Sequence, residues 1–138
     1  MKKLYSTLLI VFCIFLYNDK VYAQNVHLKA FRMSLGTTQQ NIPGIYNWHD
    51  WLLCECDIQI DLKSNRIQCE NLSYDIIERP THWIIKQYFK YAVFMCTDEN
   101  LNKICIKLYH YDSGEMRVYI NKEDGAVRYL TKYIKNAQ

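Results

Sequence analysis

The stretch Leu52-Leu53-Cys54-Glu55-Cys56-Asp57-Ile58-Gln59-Ile60-Asp61-Leu62 decides the fold class. Leu52, Cys54, Cys56, Ile58, Ile60 and Leu62 occupy the even positions, and Glu55, Asp57, Gln59 and Asp61 lie between them. Alternation with a period of two puts one face of a strand in a core and the other in water. On a helix the same carboxylates would be smeared around the cylinder. Lys63-Ser64-Asn65 reads as a turn, and Arg66 to Ile77 as the returning strand. With Leu62 opposite Ile67 and Ile60 opposite Cys69, Cys69 joins the apolar face. Beyond Glu70 the apolar parity moves to Leu72, Tyr74 and Ile76, which predicts a bulge near Glu70-Asn71.

Outward from this hairpin the pattern persists. Asn25 to Leu35 alternates with a change of parity, Val26, Leu28 and Ala30 giving way to Phe31, Met33 and Leu35. Gly36 to Gly44 (GTTQQNIPG) is a polar, turn-rich loop. Thr81 to Cys96 leaves helix and strand open in its first half, while β-branched and aromatic residues favour strand from Tyr88 onward. Ile104, Ile106 and Leu108 alternate with Cys105, Lys107 and Tyr109. Asp112-Ser113-Gly114 turns the chain into a strand from Glu115 to Ile120, and Asp124-Gly125 turns it again. Ala126 to Ile134 fits an edge strand or a short helix. Strands joined by short connections predict a mainly β domain, an antiparallel meander closed as a small barrel or packed as a sandwich, with room for one short helix.

The N-terminus has a different character. Met1-Lys2-Lys3 precedes an apolar run that ends at Asn18-Asp19-Lys20, and Val21-Tyr22-Ala23 follows. This is the pattern of a secretory signal peptide over residues 1–23, cleaved before Gln24. The run is shorter than the ~20 apolar residues that a spanning helix needs, so no membrane span is expected after cleavage. A lipid-attachment site at Cys13 is not expected either, because the bulky Phe12 precedes it. Residues 24–138 then form one β-rich domain in a secreted or periplasmic protein. Losing Lys2, Lys3, Lys20 and Asp19 removes three positive charges and one negative, so the net charge falls from +3 to +1. No run of five like charges remains, and a nucleic-acid partner is not expected.

In its last third the chain resembles small exported proteins of unassigned function from Bacteroides-type bacteria. The resemblance rests on Phe94-x-Cys96-x-Asp98, on Asn102-x-x-Cys105 with Ile106 and Leu108, on Val118-Tyr119-Ile120 and on Tyr129-Leu130. It implies export and a β fold, and carries no active site to transfer.

Five cysteines lie beyond the signal: Cys54, Cys56, Cys69, Cys96 and Cys105. An odd number leaves at least one thiol outside intramolecular bridges in an oxidising compartment. Cys96 and Cys105 flank one connection and are a disulfide candidate if the hairpin register sets them opposite each other. Cys54 and Cys56 share a strand face, from which either can reach Cys69 diagonally. With His49 they offer nitrogen and sulfur ligands for a tetrahedral metal ion, although His-x4-Cys-x-Cys is not a standard zinc spacing. No cofactor is otherwise implied. No histidine array and no nucleophile motif is present. The remaining signal is aromatic. Trp48, Trp51, Trp83, Tyr109 and Tyr111 are candidates for a surface that binds a protein or a glycan. Three readings therefore enter the structure: an exported binding module with an aromatic surface, a thiol- or metal-dependent protein centred on Cys54, Cys56 and Cys69, and a small hydrolase without a recognisable motif.

Overall fold

The computed structural model describes residues 25–39, 42 and 44–134; the expected signal peptide over residues 1–23, with Cys13, and the expected first residue after cleavage, Gln24, lie outside them. Ten strands follow one another: β1 (Asn25–Thr38), β2 (Tyr46–Trp48), β3 (Leu52–Asp61), β4 (Arg66–Cys69), β5 (Leu72–Glu78), β6 (Ile84–Ile85), β7 (Phe89–Thr97), β8 (Lys103–Tyr111), β9 (Met116–Lys122) and β10 (Gly125–Tyr133). There is no helix among the described residues: Ala126 to Tyr133 is strand, whereas the first half of Thr81 to Cys96 is irregular around the two-residue β6.

Neighbours pair antiparallel in the order β1-β3-β4-β5-β7-β8-β9-β10, and β10 returns to pair with β1. The result is a closed eight-stranded barrel, not a sandwich. The segment Ala126 to Ile134 is no edge: β10 has β9 on one side and β1 on the other, from Leu28↔Tyr133 to Gly36↔Ala126. Two short strands supplement the wall. β2 pairs with the end of β1, and β6 takes over beside β7 where β5 stops.

Period-two alternation sorts the side chains. Leu28, Ile58, Ile60, Ile67, Phe94, Ile104, Ile106, Leu108, Val118 and Ile120 point inward and are fully buried. They fill the interior as one cluster, as expected of a barrel with this number of strands. Glu55, Asp57 and Gln59 stand on the wet outer wall of β3. On β3 this apolar-in, polar-out alternation is the reverse of that on a transmembrane-barrel strand. Among the described residues no helix is long and apolar enough to cross a membrane.

Three details differ from the sequence reading. The β3–β4 register is Ile60↔Ile67 and Ile58↔Cys69. It is shifted by two residues from the expected pairing, which leaves every face unchanged. The expected bulge at Glu70-Asn71 is a full reversal: Cys69 pairs with Leu72 across these two residues, and Glu70 adopts a positive φ of 54°. Finally, β1 extends into the presumed loop as far as Thr38.

The parity change in β1 is a bulge at Phe31. Ala30 and Arg32 oppose the adjacent residues Thr131 and Leu130 on β10. Across the other edge, β3 carries an extra residue between Cys56 and Leu53.

The β7–β8 connection is organised by one carboxylate. Asp98 Oδ1 accepts hydrogen bonds from the backbone N–H groups of Asn100 (2.9 Å) and Asn102 (2.8 Å), and Oδ2 accepts one from the Asn102 side chain (3.0 Å). The Asn102 hydrogen bonds hold the Asp98 carboxyl below its usual pKa. A lowered folded-state pKa adds stability above the unfolded value, and this is lost as pH falls through the folded one. Asp98→Ala is therefore expected to lower the Tm at neutral pH. The gap from the wild type should close as the pH drops below the ordinary aspartate value of ~3.9, in paired thermal melts across the acid range. A gap that is constant with pH would contradict this role.

Candidate functional site

On β7, β8, β9 and β10 the residues that alternate with the core face outward, and many are aromatic or cationic. Register aligns them across the strands. Tyr91 is opposite Tyr109, Phe89 opposite Tyr111, Tyr109 opposite Arg117, and Tyr119 opposite Arg128. The rings form one connected patch. Tyr91 and Tyr109 stack at 4.9 Å with 15° between planes. Tyr109 also meets Phe89 at 5.5 Å, Tyr111 at 6.1 Å and Tyr119 at 4.8 Å. Burial, reinforced by Tyr119 in both cases, raises the pKa values of Tyr109 and Tyr111 to about 12.

The second half of the patch comes from the segment Tyr46–Trp51, which crosses the outside of the wall as a roof. Ser34, fully covered, donates through Oγ to the His49 carbonyl at 2.6 Å, and the His49 N–H donates to the Leu35 carbonyl at 2.8 Å. The Trp48 ring lies over Gly36, where an added Cβ would come within 2.9 Å of two ring carbons. Trp48 meets Tyr119 edge-on at 5.5 Å, which joins the roof to the tyrosine cluster. The Arg128 guanidinium is 4.5 Å from the Trp48 ring centroid and 4.4 Å from that of Trp51. Arg117 lies 5.5 Å from Trp51 and 5.0 Å from Tyr111, with its charge paired to Glu115 at 2.9 Å. Cation–π contacts of this kind contribute about 0.5–2 kcal/mol each, more where water is excluded. Trp48, Arg128, Trp51, Arg117 and Tyr111 thus form a continuous alternating row.

Four of the five aromatic candidates are brought together: Trp48, Trp51, Tyr109 and Tyr111. Trp83 stands apart. It packs on the core cluster, with Lys90 Nζ 5.2 Å from its ring. Tyr46, Phe89, Tyr91, Tyr119, Arg117 and Arg128 were not singled out from the sequence. Phe89-x-Tyr91 and Tyr109-x-Tyr111 share one period-two signature that predicts adjacency once their strands are paired. The arginines gave no comparable signal.

A second apolar feature lies at the paired bulges. There an open groove of about 940 Å³ is lined by Phe31, Leu53, Cys54 and Tyr133, with Lys29 and Lys132 beside them. Leu53 is 81% exposed.

The cysteine expectations need correction. Cys96 pairs with Ile104 and points inward, whereas Cys105 pairs with Met95 and points outward. The register is one residue away from the one a bridge needs, which puts the two sulfurs on opposite faces of the sheet. Both are free thiols. The four proposed metal ligands do not all come together: His49 is held in the roof, while Cys56 and Cys69 face the interior with their sulfurs 3.3 Å apart. Among the described residues no group of three or more His, Cys, Asp or Glu side chains is placed to hold a metal ion. Burial raises the pKa of Cys54, Cys56, Cys96 and Cys105 above the ordinary thiol value. This is opposite to the thiolate character of a nucleophilic cysteine. A histidine–carboxylate pair exists, His27 Nε2 to Asp57 Oδ1 at 3.3 Å, at a cross-strand position where Asp57 is 63% exposed.

No protein-family model, no curated protein and no solved structure matches the chain.

Gly36→Ala tests the roof. The new methyl group is expected to displace Trp48, since overpacking of this kind costs about 1–3 kcal/mol. The measurement is a red shift in tryptophan emission together with a lower unfolding midpoint. Unchanged emission and stability would show that Trp48 does not need the space over Gly36.

Proposed function

We propose that this protein is an exported binding module that engages a protein partner through the outer aromatic–arginine face of its barrel. The observation that carries the reading is the row Trp48–Arg128–Trp51–Arg117–Tyr111, continuous with the Phe89, Tyr91, Tyr109 and Tyr119 cluster. Tryptophan, tyrosine and arginine are the residue types that dominate protein interfaces. Here they are held by neighbouring rings and charges, so little side-chain freedom would be lost on binding. Among the described residues the barrel interior offers no competing site, because one hydrophobic cluster that includes Tyr74, Phe94 and Tyr129 fills it.

A protein partner is favoured over a glycan by the geometry of the rings. A sugar stacks on an open aromatic face. Tyr109 is instead packed among Phe89, Tyr91, Tyr111 and Tyr119, and two arginines cover Trp51. What remains for a partner is ring edges, phenol hydroxyls and guanidinium groups, which suit a polar, partly apolar protein surface. The thiol reading is weaker because burial raises the pKa values of Cys54 and Cys56. Among the described residues the hydrolase reading has two histidine contacts to draw on, His27–Asp57 at 3.3 Å and Thr81–His82 at 2.9 Å, and neither joins a nucleophile, a base and an orienting carboxylate.

The test places a photo-crosslinking amino acid at Lys107, beside Tyr91 on this face, and in a separate variant at Gln59 on β3, across the barrel. The protein is expressed in its native cell. A discrete protein adduct is expected from position 107, absent from position 59, and lost when Arg117→Ala and Tyr111→Ala are added. Equal adducts from both positions, or oligosaccharide-array binding with no protein adduct, would overturn the protein-partner reading. Export is read separately: the recovered chain should begin at Gln24, and recovery of a cytoplasmic chain beginning at Met1 would remove that half.

A further inference from the structure

Where the pairing of β3 with β4 ends, two thiols meet. The last residues in register are Ile58 and Cys69, after which β4 reverses at Glu70-Asn71. Cys56, two residues from Ile58 and on the same inward face, lies diagonally across from Cys69. The two sulfurs are 3.3 Å apart. Both residues are buried, Cys56 5% exposed and Cys69 2%. Glu70 N–H donates to the Asp57 carbonyl at 3.1 Å, which holds the start of the reversal against β3. The backbone is therefore fixed on both sides of the sulfur pair.

We propose that Cys56 and Cys69 are a disulfide-forming pair, a covalent clamp placed where the β3–β4 ladder stops. A bond needs the sulfurs at ~2.05 Å, so they must approach by little more than one ångström, within reach of side-chain rotation. The other cysteines fit this role less well. Cys96 and Cys105 point to opposite faces. Cys54 is packed against the core, yet it lies one residue pair further along β3 and lines the open groove.

The chemistry is thiol–disulfide exchange with a low-molecular-weight disulfide such as glutathione disulfide. The thiolate of one cysteine attacks a glutathione sulfur, breaking its S–S bond and releasing one glutathione. A mixed disulfide is left on the protein. The second cysteine thiolate then attacks the protein sulfur of that bond and releases the second glutathione. The protein gives up two protons and two electrons, and the disulfide is reduced to two thiols. Because both sulfurs are buried in the finished barrel, the exchange belongs to folding, before β10 closes on β1.

The experiment refolds the reduced wild-type domain in a glutathione redox buffer, alkylates free thiols under denaturing conditions, and maps proteolytic peptides without reduction. The expected result is one linked pair joining Cys56 to Cys69, with Cys54, Cys96 and Cys105 alkylated, and, before alkylation, an intact mass two hydrogens below that of the fully reduced chain. Reduction should then lower the Tm by several degrees. Cys54→Ser should form the same bridge. Full alkylation of Cys56 and Cys69, or a Cys54–Cys69 link in the wild type, would overturn the proposal. None of these outcomes depends on the aromatic face having a partner.

Discussion

The pairing of β10 with β1 is the constraint on which the rest of the molecule depends. It joins one end of the described chain to the other over Leu28↔Tyr133 to Gly36↔Ala126. Without it the sheet would have two open edges, each a row of unpaired backbone groups. With it, the inward face of every wall strand has somewhere to be buried, and a single hydrophobic cluster fills the space. Closure also costs regularity. β1 must bulge at Phe31, and β3 carries a matching extra residue between Leu53 and Cys56. The exposed Leu53 and the groove beside it are the local result.

A filled interior leaves the outer wall as the surface open to a partner. The outer face of β7 to β10 is not a uniform polar wall. It carries tyrosines in register across neighbouring strands, and a roof that brings two tryptophans onto the same surface. The arginines are held between rings and do not extend freely into water. Such a surface is partly ordered before anything binds, which is the condition for specific recognition without a deep pocket.

Much of the barrel was legible because alternation is a local signal. Leu52 to Leu62 and Ile104 to Leu108 state their own inward and outward faces, and Asp112-Ser113-Gly114 states its turn. What was not legible depended on non-local pairing. Nothing within Ala126 to Ile134 says that its second partner is β1, so an edge strand and a short helix fitted it equally. The reversal at Glu70-Asn71 has no glycine or proline, and a parity change alone does not distinguish a bulge from a hairpin. The same limit applied to the site. Tyr109 and Tyr111 follow from parity, whereas the place of Trp48 follows from the missing side chain of Gly36, twelve residues away along the chain. The Cys96–Cys105 expectation failed on a single step of register, the quantity that sequence specifies least well.

On one side β1 changes partners along its length. It pairs with β3 from Asn25 to Met33, and with β2 from Gly36 to Thr38. Its other side is the barrel seam. The roof over the arginines is therefore hung on the strand that seals the barrel, and opening the seam and loosening the roof are coupled events. By linkage, a molecule that binds only the assembled outer face must also stabilise the closed barrel. Occupancy would then be written into the lifetime of the fold, and amide exchange along β1 would report the bound state from beneath the surface that such a molecule touches.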